Sequence, residues 1–199
     1  RTKDERLNVK GLHNVTMSAV ERSFYKTLQG IKISKDDRDC LVIDAPKVSE
    51  NKVVTNDLVN LISDTEFQWL GRFDNIINSG GIKLIPEQIE KKLAKILSDR
   101  FFVTGIPDEI LGEKLVLIVE FKSGKDTKEQ SLKDVTSSAV EKPQYLKFEK
   151  LKNVILSKVM NLNSLTKYEI PKEIYFVEKF IETDTKKIQR KKTLDLIVF

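Results

Sequence analysis

Histidine and cysteine, on which many metal centres and nucleophilic sites depend, are nearly absent from this sequence. Its 199 residues include one histidine, His13, and one cysteine, Cys40. A single histidine nearly excludes His-based catalytic triads and His-rich metal sites, and a single cysteine excludes a multi-cysteine zinc cluster and a disulfide within the chain. We therefore expect no metal site made by the protein alone, and we interpret His13 as a surface or packing residue.

Long apolar runs are also missing, and no segment approaches the length needed to span a bilayer. Five of residues 1–6 are charged and no apolar segment follows them, so we expect no signal peptide. Position 1 is Arg1 rather than methionine, which we interpret as a sign that the sequence is a piece of a longer chain. Cys40 stands in an apolar run, as a small buried side chain would, and the absence of disulfides predicts a reducing, cytoplasmic location.

The residues that are present suit a globular protein of one or two domains. Hydrophobic residues make up 40% of the sequence and charged residues 33%, so a core can form beneath a polar surface. The net charge of +5 is compatible with anionic ligands and equally with an ordinary lysine-rich surface. No G-x-x-x-x-G-K-[ST] phosphate loop occurs, so the sequence is not that of a P-loop nucleotide-binding protein.

The first 73 residues have the pattern of short β-strands, with mixed apolar runs between charged or turn-forming segments. The predicted strands cover residues 24–33, 39–43, 52–55, 58–62 and 67–70. This region has little apolar material for a core, so we interpret it as the edge of a larger domain.

The segment from residue 71 to residue 90 predicts a linker, a β-hairpin and a helix. Gly80 and Gly81 lie between two apolar runs and predict a tight turn, because glycine reaches positive φ without steric cost. Pro86 suits the first position of a helix, where its missing N–H is no loss. The helix would place its apolar side chains on one face. These side chains are Ile85, Ile89, Leu93, Ile96 and Leu97.

Beyond that helix the pattern mixes strands and helices. We predict strands at residues 101–103, ending before Gly105, at residues 115–119, a run apolar enough for a central strand, and at residues 174–177. Helical spacing relates Phe148, Leu151, Ile155 and Val159, with Val154 alongside them. Residues 123–143 predict a loop or an exposed helix, and the basic tail from Thr185 predicts a short helix.

Asp57, in the segment Thr55-Asn56-Asp57, is the first of three candidates for binding or catalysis. An ionised carboxylate is a pure acceptor and can take hydrogen bonds from both hydroxyl groups of a ribose. Considered alone, Asp57 is more simply interpreted as an aspartate at a turn or a strand end.

The second candidate combines Arg72 and Asp74 with the glycines Gly80 and Gly81. Arginine is suited to contacts with ribose or phosphate, and glycine lets a ligand approach the backbone closely. The simpler interpretation is a hairpin with an ion pair at its edge.

The third candidate is the basic segment at residues 182–192. A mobile lysine in it could place a positive charge on a phosphate or a carboxylate. A basic run is more often a solvated face, and next most often a nucleic-acid patch. Few aromatic residues stand near this run, which argues against recognition of bases by stacking.

The order and spacing of these segments resemble the adenylate-forming acyl-CoA synthetases. That family has motifs of the forms T-G-D, G-R-x-D, I-K-x-x-G-x-(K/R)-I-x-P-x-E-I-E, G-x-P-D with G-E, P-K-E-I-x-F-V and T-G-K-I-x-R. The matching segments here are residues 55–57, 71–74, 77–90, 105–108 with 112–113, 171–177 and 185–190. The T-N-D and I-N-S-G-G-I-K variants look most like the o-succinylbenzoate–CoA ligases of menaquinone biosynthesis.

The resemblance implies two half-reactions. A carboxylic acid first reacts with ATP, accompanied by Mg²⁺, to give an acyl-adenylate, and the acyl group then passes to coenzyme A. Lys187 would be the catalytic lysine of the first step, and Asp57 and Arg72 would hold the nucleotide. Asp74 would be the hinge about which a mobile domain turns between the two steps.

For the second step, the resemblance implies that Gly80 and Gly81 line the tunnel for the pantetheine arm of coenzyme A and that Lys83 contacts a phosphate of that molecule. It also implies an α+β fold, with residues 1–73 as an incomplete β-subdomain of the large domain and residues 74–199 as the mobile C-terminal domain.

The phosphate loop and the acyl pocket of the family would lie upstream of this sequence, so we expect no ligase activity from the 199 residues alone. The expected partners are a small carboxylic acid, ATP and coenzyme A. Association of several copies of the chain into a homo-oligomer is also compatible with the sequence. We expect that the chain neither binds nucleic acid nor spans a membrane.

Two departures from the family pattern affect the assignment. Asn56 stands where the family has glycine, and Lys186 stands where glycine precedes the lysine. The second departure leaves two lysines as candidates, of which Ile188 and Arg190 favour Lys187 by fixing the register. Other aryl- or fatty-acyl-CoA ligases and peptide-synthetase adenylation domains are alternatives within the family, and a basic non-catalytic binding module is the alternative outside it.

Overall fold

A computed structural model describes residues 24–121 and 144–197, without the side chains of residues 144–147. The fold class is α+β, as predicted, with many strands and three α-helices among the described residues. The chain divides into two compact units, with the break between Trp69 and Leu70. The domain boundary that the sequence predicts, between residues 73 and 74, stays a prediction.

The first unit contains a five-stranded sheet. Its strands along the chain are β1 (Phe24–Lys26), β2 (Lys32–Lys35), β3 (Cys40–Asp44), β4 (Val53–Leu61) and β5 (Glu66–Arg72), and their order in the sheet is β1-β5-β4-β3-β2. Ile33, Leu41 and Val59 form its small buried core. The Cys40 side chain is fully buried, which confirms the prediction of a buried thiol.

Two strand predictions in this unit are wrong. Residues 24–33 are two strands rather than one, because Gly30 adopts a φ of 85° between β1 and β2. Residues 52–55 and 58–62 belong to a single strand, β4, rather than to two. The pattern around Asn56 resembles a break because β4 carries a bulge there and does not alternate regularly.

The second unit begins at Leu70, within β5, and a short 3-10 turn at Phe73–Asn75 follows that strand. Its other elements are β6 (Ile77–Ser79), β7 (Ile82–Leu84), α1 (Pro86–Leu93), β8 (Phe101–Asp108), β9 (Gly112–Glu120), α2 (Gln144–Met160), β10 (Glu173–Val177) and α3 (Arg190–Leu194). The sheet order is β10-β9-β6-β7, and β8 also pairs with β9. The β9–β10 pair is parallel, and the other pairs of this sheet are antiparallel.

Strand β9 is the centre of this unit, as its apolar run predicts. Alternate side chains of a strand point to opposite faces, so a strand covered on both sides is apolar throughout. Leu115, Leu117 and Val119 join the core that contains Ile89 of α1 and Ile155 of α2. The side chains on the other face, Val116 and Ile118, pack with Phe102, Ile106, Val177 and Phe180.

Strand β8 continues beyond its predicted end. It runs through Gly105 to Asp108 and pairs with β9 along its whole length. Among the described residues β9 is its only paired neighbour, so Pro107 removes no donor that another strand needs. A Cβ at Gly105 would lie 2.9 Å from Ile77 Cγ2, so glycine here lets β8 approach the hairpin strand.

Five further predictions are confirmed. They are the hairpin, the helix that starts at Pro86, the helix around Ile155, the strand after Pro171 and the short helix of the basic tail. The α1 helix ends at Leu93, so Ile96 and Leu97 pack against the core from the turns that follow. Val154 is exposed rather than packed. The predicted loop at residues 123–143 lies outside the described residues. None of the helices in the described ranges is long and apolar enough to cross a membrane.

Candidate active site

Asp57 lies in the bulge of β4. Between the cross-strand pairs Val42–Val54 and Cys40–Leu58, β4 advances four residues while β3 advances two. The extra residues place Asp57 outside the regular ladder, and bulges of this kind reorient side chains at the edges of sites. The prediction that Asp57 stands at a strand end or a turn is therefore wrong, although its backbone is irregular.

Hydrogen bonds from neighbouring residues fix the shape of the bulge. Thr55 Oγ1 donates to the carbonyl oxygen of Leu41 over 2.8 Å and accepts from the backbone N–H of Asp57 over 3.1 Å. Arg38 donates to Asn56 Oδ1 over 3.1 Å and to the carbonyl oxygen of Thr55 over 3.3 Å. Asn56, which replaces the glycine of the family pattern, thus accepts one of the hydrogen bonds that hold the bulge.

The carboxylate of Asp57 meets the indole of Trp69 on the neighbouring strand. Trp69 Nε1 donates to Asp57 Oδ1 over 3.2 Å. Both side chains line a cavity of about 350 Å³. Its other lining residues are Tyr25, Leu41 and Phe67, and the rings of Tyr25 and Phe67 stack at 5.3 Å. A carboxylate acceptor beside aromatic faces can hold a ligand that combines hydroxyl groups with a flat ring.

Trp69 was not predicted as a site residue. It is the only tryptophan of the chain and stands two residues before Gly71. Its distance of twelve residues from Asp57 along the chain hides the contact, because the β4–β5 pairing brings the two side chains together.

Arg72 and Asp74 interact directly, as the pattern suggested. Arg72 Nη2 lies 3.1 Å from Asp74 Oδ2, and both side chains are about half exposed. Arg72 is the last residue of β5, and Asp74 lies in the 3-10 turn that follows. The pair therefore occupies the segment that leads from β5 to the hairpin.

This linker is attached to the start of α1. Gln88 Nε2 donates to the carbonyl oxygen of Leu70 over 2.5 Å, and Asn75 Nδ2 donates to Glu87 Oε1 over 2.6 Å. A Cβ at Gly71 would lie 2.4 Å from Glu87 Oε2 and 2.6 Å from Ile85 Cγ2. The glycine of the G-R-x-D segment is therefore required by close packing against α1.

Gly80 and Gly81 form the two-residue tip of the β6–β7 hairpin, with φ of 58° and 79°. Positive φ at both central positions defines a type I′ turn, whose twist matches that of the strands. The Gly80 N–H donates to the carbonyl oxygen of Leu111 over 2.8 Å. A Cβ at Gly81 would meet no atom within 4 Å, and Lys83 on β7 is exposed.

Lys187 lies in a tight loop that we call the lysine loop, residues 182–188. Its ends are joined by an antiparallel bridge between Glu182 and Ile188. Inside the bridge, the Thr183 N–H donates to the carbonyl oxygen of Lys187 and the Lys186 N–H donates to that of Thr183, each over 2.9 Å. The side chains of Lys186 and Lys187 are both exposed at the tip.

Lys186 has a φ of 63°, in the left-handed region that favours glycine. This is the position at which the family pattern has glycine, the residue that adopts a left-handed φ at least cost. The register that assigns the catalytic role to Lys187 is therefore consistent with the shape of the loop.

The predicted site residues are shared between the units. Asp57 belongs to the first unit, and Arg72, Asp74, Gly80, Gly81, Lys83 and Lys187 belong to the second. In the described ranges, no group of three or more His, Cys, Asp and Glu side chains is placed to hold a metal ion.

The chain resembles known ligases of carboxylic acids in sequence. It is 31% identical over 113 residues to the long-chain-fatty-acid–AMP ligase FadD26 of Mycobacterium tuberculosis, a match that covers 54% of this chain and 19% of that protein. It is 26% identical over 122 residues to oxalate–CoA ligase of Saccharomyces cerevisiae, which covers 61% of this chain and 18% of that enzyme. The match thus spans about a fifth of each relative. No family model matches the sequence.

Solved structures show the same fold. ATP-bound MatB from Rhodopseudomonas palustris matches 86% of this chain with a TM-score of 0.60 at 16% identity, over 35% of its own chain. The anthranilate CoA ligase AuaEII in complex with anthranoyl-AMP matches 86% with a TM-score of 0.58 at 20% identity, over 34% of its own chain. The relatives and structural neighbours of this chain are therefore AMP-forming acyl ligases, and its fold is that of a part of such enzymes.

Proposed function

We propose that this chain is the C-terminal part of an AMP-forming acid–thiol ligase. The ligase would join a carboxylic acid to AMP with release of pyrophosphate and then transfer the acyl group to the thiol of coenzyme A. The observation that carries the proposal is the lysine loop, which presents Lys187 to solvent on a short, internally hydrogen-bonded turn in the register of the family motif.

In the first step, a carboxylate oxygen attacks the α-phosphorus of ATP, and the bond to pyrophosphate breaks. Negative charge accumulates on the phosphate oxygens as the new bond forms. A lysine cation held beside them stabilises that charge more in the transition state than in the ground state. Lys187 would supply this cation, and Mg²⁺ would arrive with ATP.

Asp57 and Arg72 would hold the nucleotide. The carboxylate of Asp57 is placed by the bulge of β4 and by Trp69 to accept hydrogen bonds from ribose hydroxyls. The aromatic faces of the adjoining cavity suit a flat ring. Arg72 would add a donor to the same ribose, for which its contact with Asp74 would have to rearrange.

In the second step, the mobile domain would turn about Asp74, and the hairpin tip would replace Lys187 at the site. Asp74 lies in a short turn between two strands, where a change of backbone angles disturbs little regular structure. The open space beside Gly81 suits the extended pantetheine arm of coenzyme A, and the exposed Lys83 would contact one of its phosphates.

The name of FadD26 refers to ligation with AMP, and that of the yeast relative to ligation with coenzyme A. The acceptor of the acyl group is therefore a separate part of the proposal. The T-N-D and I-N-S-G-G-I-K variants support o-succinylbenzoate as the acid, with a role in menaquinone biosynthesis.

The experiment is a comparison of the two half-reactions in the full-length protein. ATP–pyrophosphate exchange measures adenylation, with o-succinylbenzoate and a panel of aryl and fatty acids, and thioester formation from supplied acyl-adenylate measures the second step. We expect Lys187→Ala to lower exchange at least about 100-fold, the usual cost of removing one electrostatic stabiliser. It should leave thioester formation unchanged.

Lys95→Ala serves as the control, since Lys95 is an exposed lysine of the same unit outside the proposed site. An equal loss of both steps in Lys187→Ala would contradict the role of Lys187. Exchange with other acids but not with o-succinylbenzoate would reject only the substrate. Exchange without any thioester product would reject coenzyme A as the acceptor.

A further inference from the structure

The lysine loop has few apolar contacts to hold it. Residues 183–187 are all exposed, and the only member of the loop that packs against a core cluster is Ile188. A lysine that must meet a reacting phosphate needs a fixed backbone, because a misplacement of about 1 Å can cost about 100-fold in rate. Contacts at the two ends of the loop therefore decide where Lys187 is presented.

Arg190 holds the end of the loop. Its guanidinium donates to both carboxylate oxygens of Glu90 on α1, over 2.6 and 3.0 Å, and to the carbonyl oxygen of Val103 on β8 over 2.7 Å. Glu90 also accepts from the Val103 N–H over 2.8 Å. The guanidinium lies 5.5 Å from the centre of the Phe102 ring. A bidentate, largely buried arrangement of this kind fixes direction as well as distance.

Arg100 holds the start of the loop. Its guanidinium pairs with Glu182, the first residue of the loop, and lies 2.9 Å from Glu120 Oε2. Glu120 is buried at the end of β9 and also accepts from the Phe180 N–H over 3.3 Å. Arg100 thus connects the loop to the central strand, as Arg190 connects it to α1.

We propose that Arg100 and Arg190 are positioning residues, which clamp the two ends of the lysine loop so that Lys187 meets the α-phosphate in the adenylation step. The inference rests on the proposed function for its catalytic part. Arg190 bonds to Glu90 and Val103 beside the loop, and Arg100 pairs with Glu182 at its start, so we assign both residues an effect on the reaction through the loop. Since Lys187 leaves the site before thioester formation, the clamp affects the first half-reaction alone.

The catalytic test uses Arg190→Met in the full-length protein, with both half-reactions measured. We expect ATP–pyrophosphate exchange to fall at least about tenfold, through loss of positioning. Thioester formation from supplied acyl-adenylate should stay within about twofold, because a displaced loop does not enter that step. Lys92→Met is the matched control, since it removes a partly buried ion pair with Glu169 in the same unit, away from the loop.

Two further variants keep the test decisive if Arg190→Met folds poorly. Arg190→Lys keeps the charge beside Glu90 but cannot bond to Glu90 and Val103 with one planar group. It should recover folding, measured by urea, more fully than it recovers exchange. Arg100→Met releases the opposite end of the loop and should show the same loss confined to exchange.

A second measurement needs no ligase activity and uses the 199-residue chain. Trypsin cleavage after Lys186 and Lys187, mapped by mass spectrometry, reports how often the loop opens. We expect Arg190→Met to raise this rate about tenfold and Lys92→Met to leave it unchanged. Equal cleavage in both variants, or an equal loss of both half-reactions in Arg190→Met, would overturn the clamp. Absence of exchange in the wild-type protein would instead count against the proposed function.

Discussion

Two turns of the second unit, the hairpin tip and the lysine loop, both contain residues with positive φ, but the residue types differ. The hairpin tip has glycine at both positive φ values, Gly80 at 58° and Gly81 at 79°, while the lysine loop has Lys186 at 63°. The left-handed region costs an L-residue roughly 1–2 kcal/mol and costs glycine nothing comparable. The hairpin is therefore relaxed, and the lysine loop is strained beside Lys187.

The difference shows that the two turns are stabilised in different ways. The hairpin keeps its shape through its own backbone and through the bond from the Gly80 N–H to Leu111. The lysine loop gains a second cation beside Lys187, and arginines outside it hold its ends. Under the proposed function, the glycine turn would leave open space for coenzyme A, and the turn that presents charge would accept the strain.

The largest effect on stability is expected from Gly80→Ala. The new Cβ would adopt a left-handed φ and lie 3.2 Å from Leu111 Cδ2, so we expect a loss of about 1–2 kcal/mol in the free energy of unfolding. Gly81→Ala is the matched control, with the same strain but open space around the Cβ, and should lose about 1 kcal/mol. Urea denaturation measures both values. An equal loss would show that Leu111 moves aside freely, and no loss in either would contradict the turn type.

A smaller effect of the opposite sign is expected from Lys186→Gly. Glycine relieves the strain of the left-handed conformation, in part offset by the greater freedom of the unfolded chain, so we expect a gain of about 0.5 kcal/mol. Lys187→Gly, at a position without positive φ, should instead lose about 0.5 kcal/mol. If both substitutions destabilise the chain to the same extent, Lys186 is not strained. Lys186→Gly should also retain ATP–pyrophosphate exchange, because Lys187 is kept.

The hairpin and α1 could be predicted from the sequence because their signals are local. Gly80 and Gly81 specify the turn, Pro86 specifies the helix start, and the spacing of Ile89 and Leu93 specifies the buried face. The confirmed boundaries follow these residues closely. The central strand β9 was predictable for a similar reason. A continuous apolar run is stable as a strand only where both faces of the sheet are covered.

The wrong predictions share a different cause. Gly105 and Pro107 normally end a strand. β8 keeps both because Gly105 packs closely against Ile77 and because, in the part of the chain that the structure describes, Pro107 faces no further strand. The bulge of β4 likewise depends on its partner strand, so Asn56 looked like a break in the sequence. A pattern read along one strand cannot reveal what the neighbouring strand permits.

The contacts around the candidate site could not be predicted from local sequence patterns for the same reason. Trp69 reaches Asp57 across two paired strands, and Arg190 reaches Glu90 over 100 residues. The sequence could place Lys187 in its register through the motif, but it could not show which side chains fix the loop that carries it. Those contacts are set by packing of α1, β8 and α3 in three dimensions.

The smallest expected effect is a pH dependence of stability, which the lysine loop should show and the hairpin should not. The hydrogen bond from Arg100 lowers the pKa of Glu182 from its ordinary value of 4.5, so the folded state holds this carboxylate ionised more strongly than the unfolded state does. The stability that Glu182 contributes is therefore fully present above its unfolded-state pKa and is lost as pH falls through its lower folded-state pKa. The difference in unfolding free energy between wild type and Glu182→Gln should be constant near neutrality and shrink below about pH 4.5.

Urea denaturation across this pH range measures the difference, with Glu178→Gln, an exposed neighbour, as the control for loss of a negative charge. Gly81→Ala provides the comparison with the hairpin, because a backbone strain carries no proton and its cost should not change with pH. If the Glu182→Gln difference stays constant until the protein unfolds, the start of the lysine loop is held by its backbone, as the hairpin is, and not by the ion pair with Arg100.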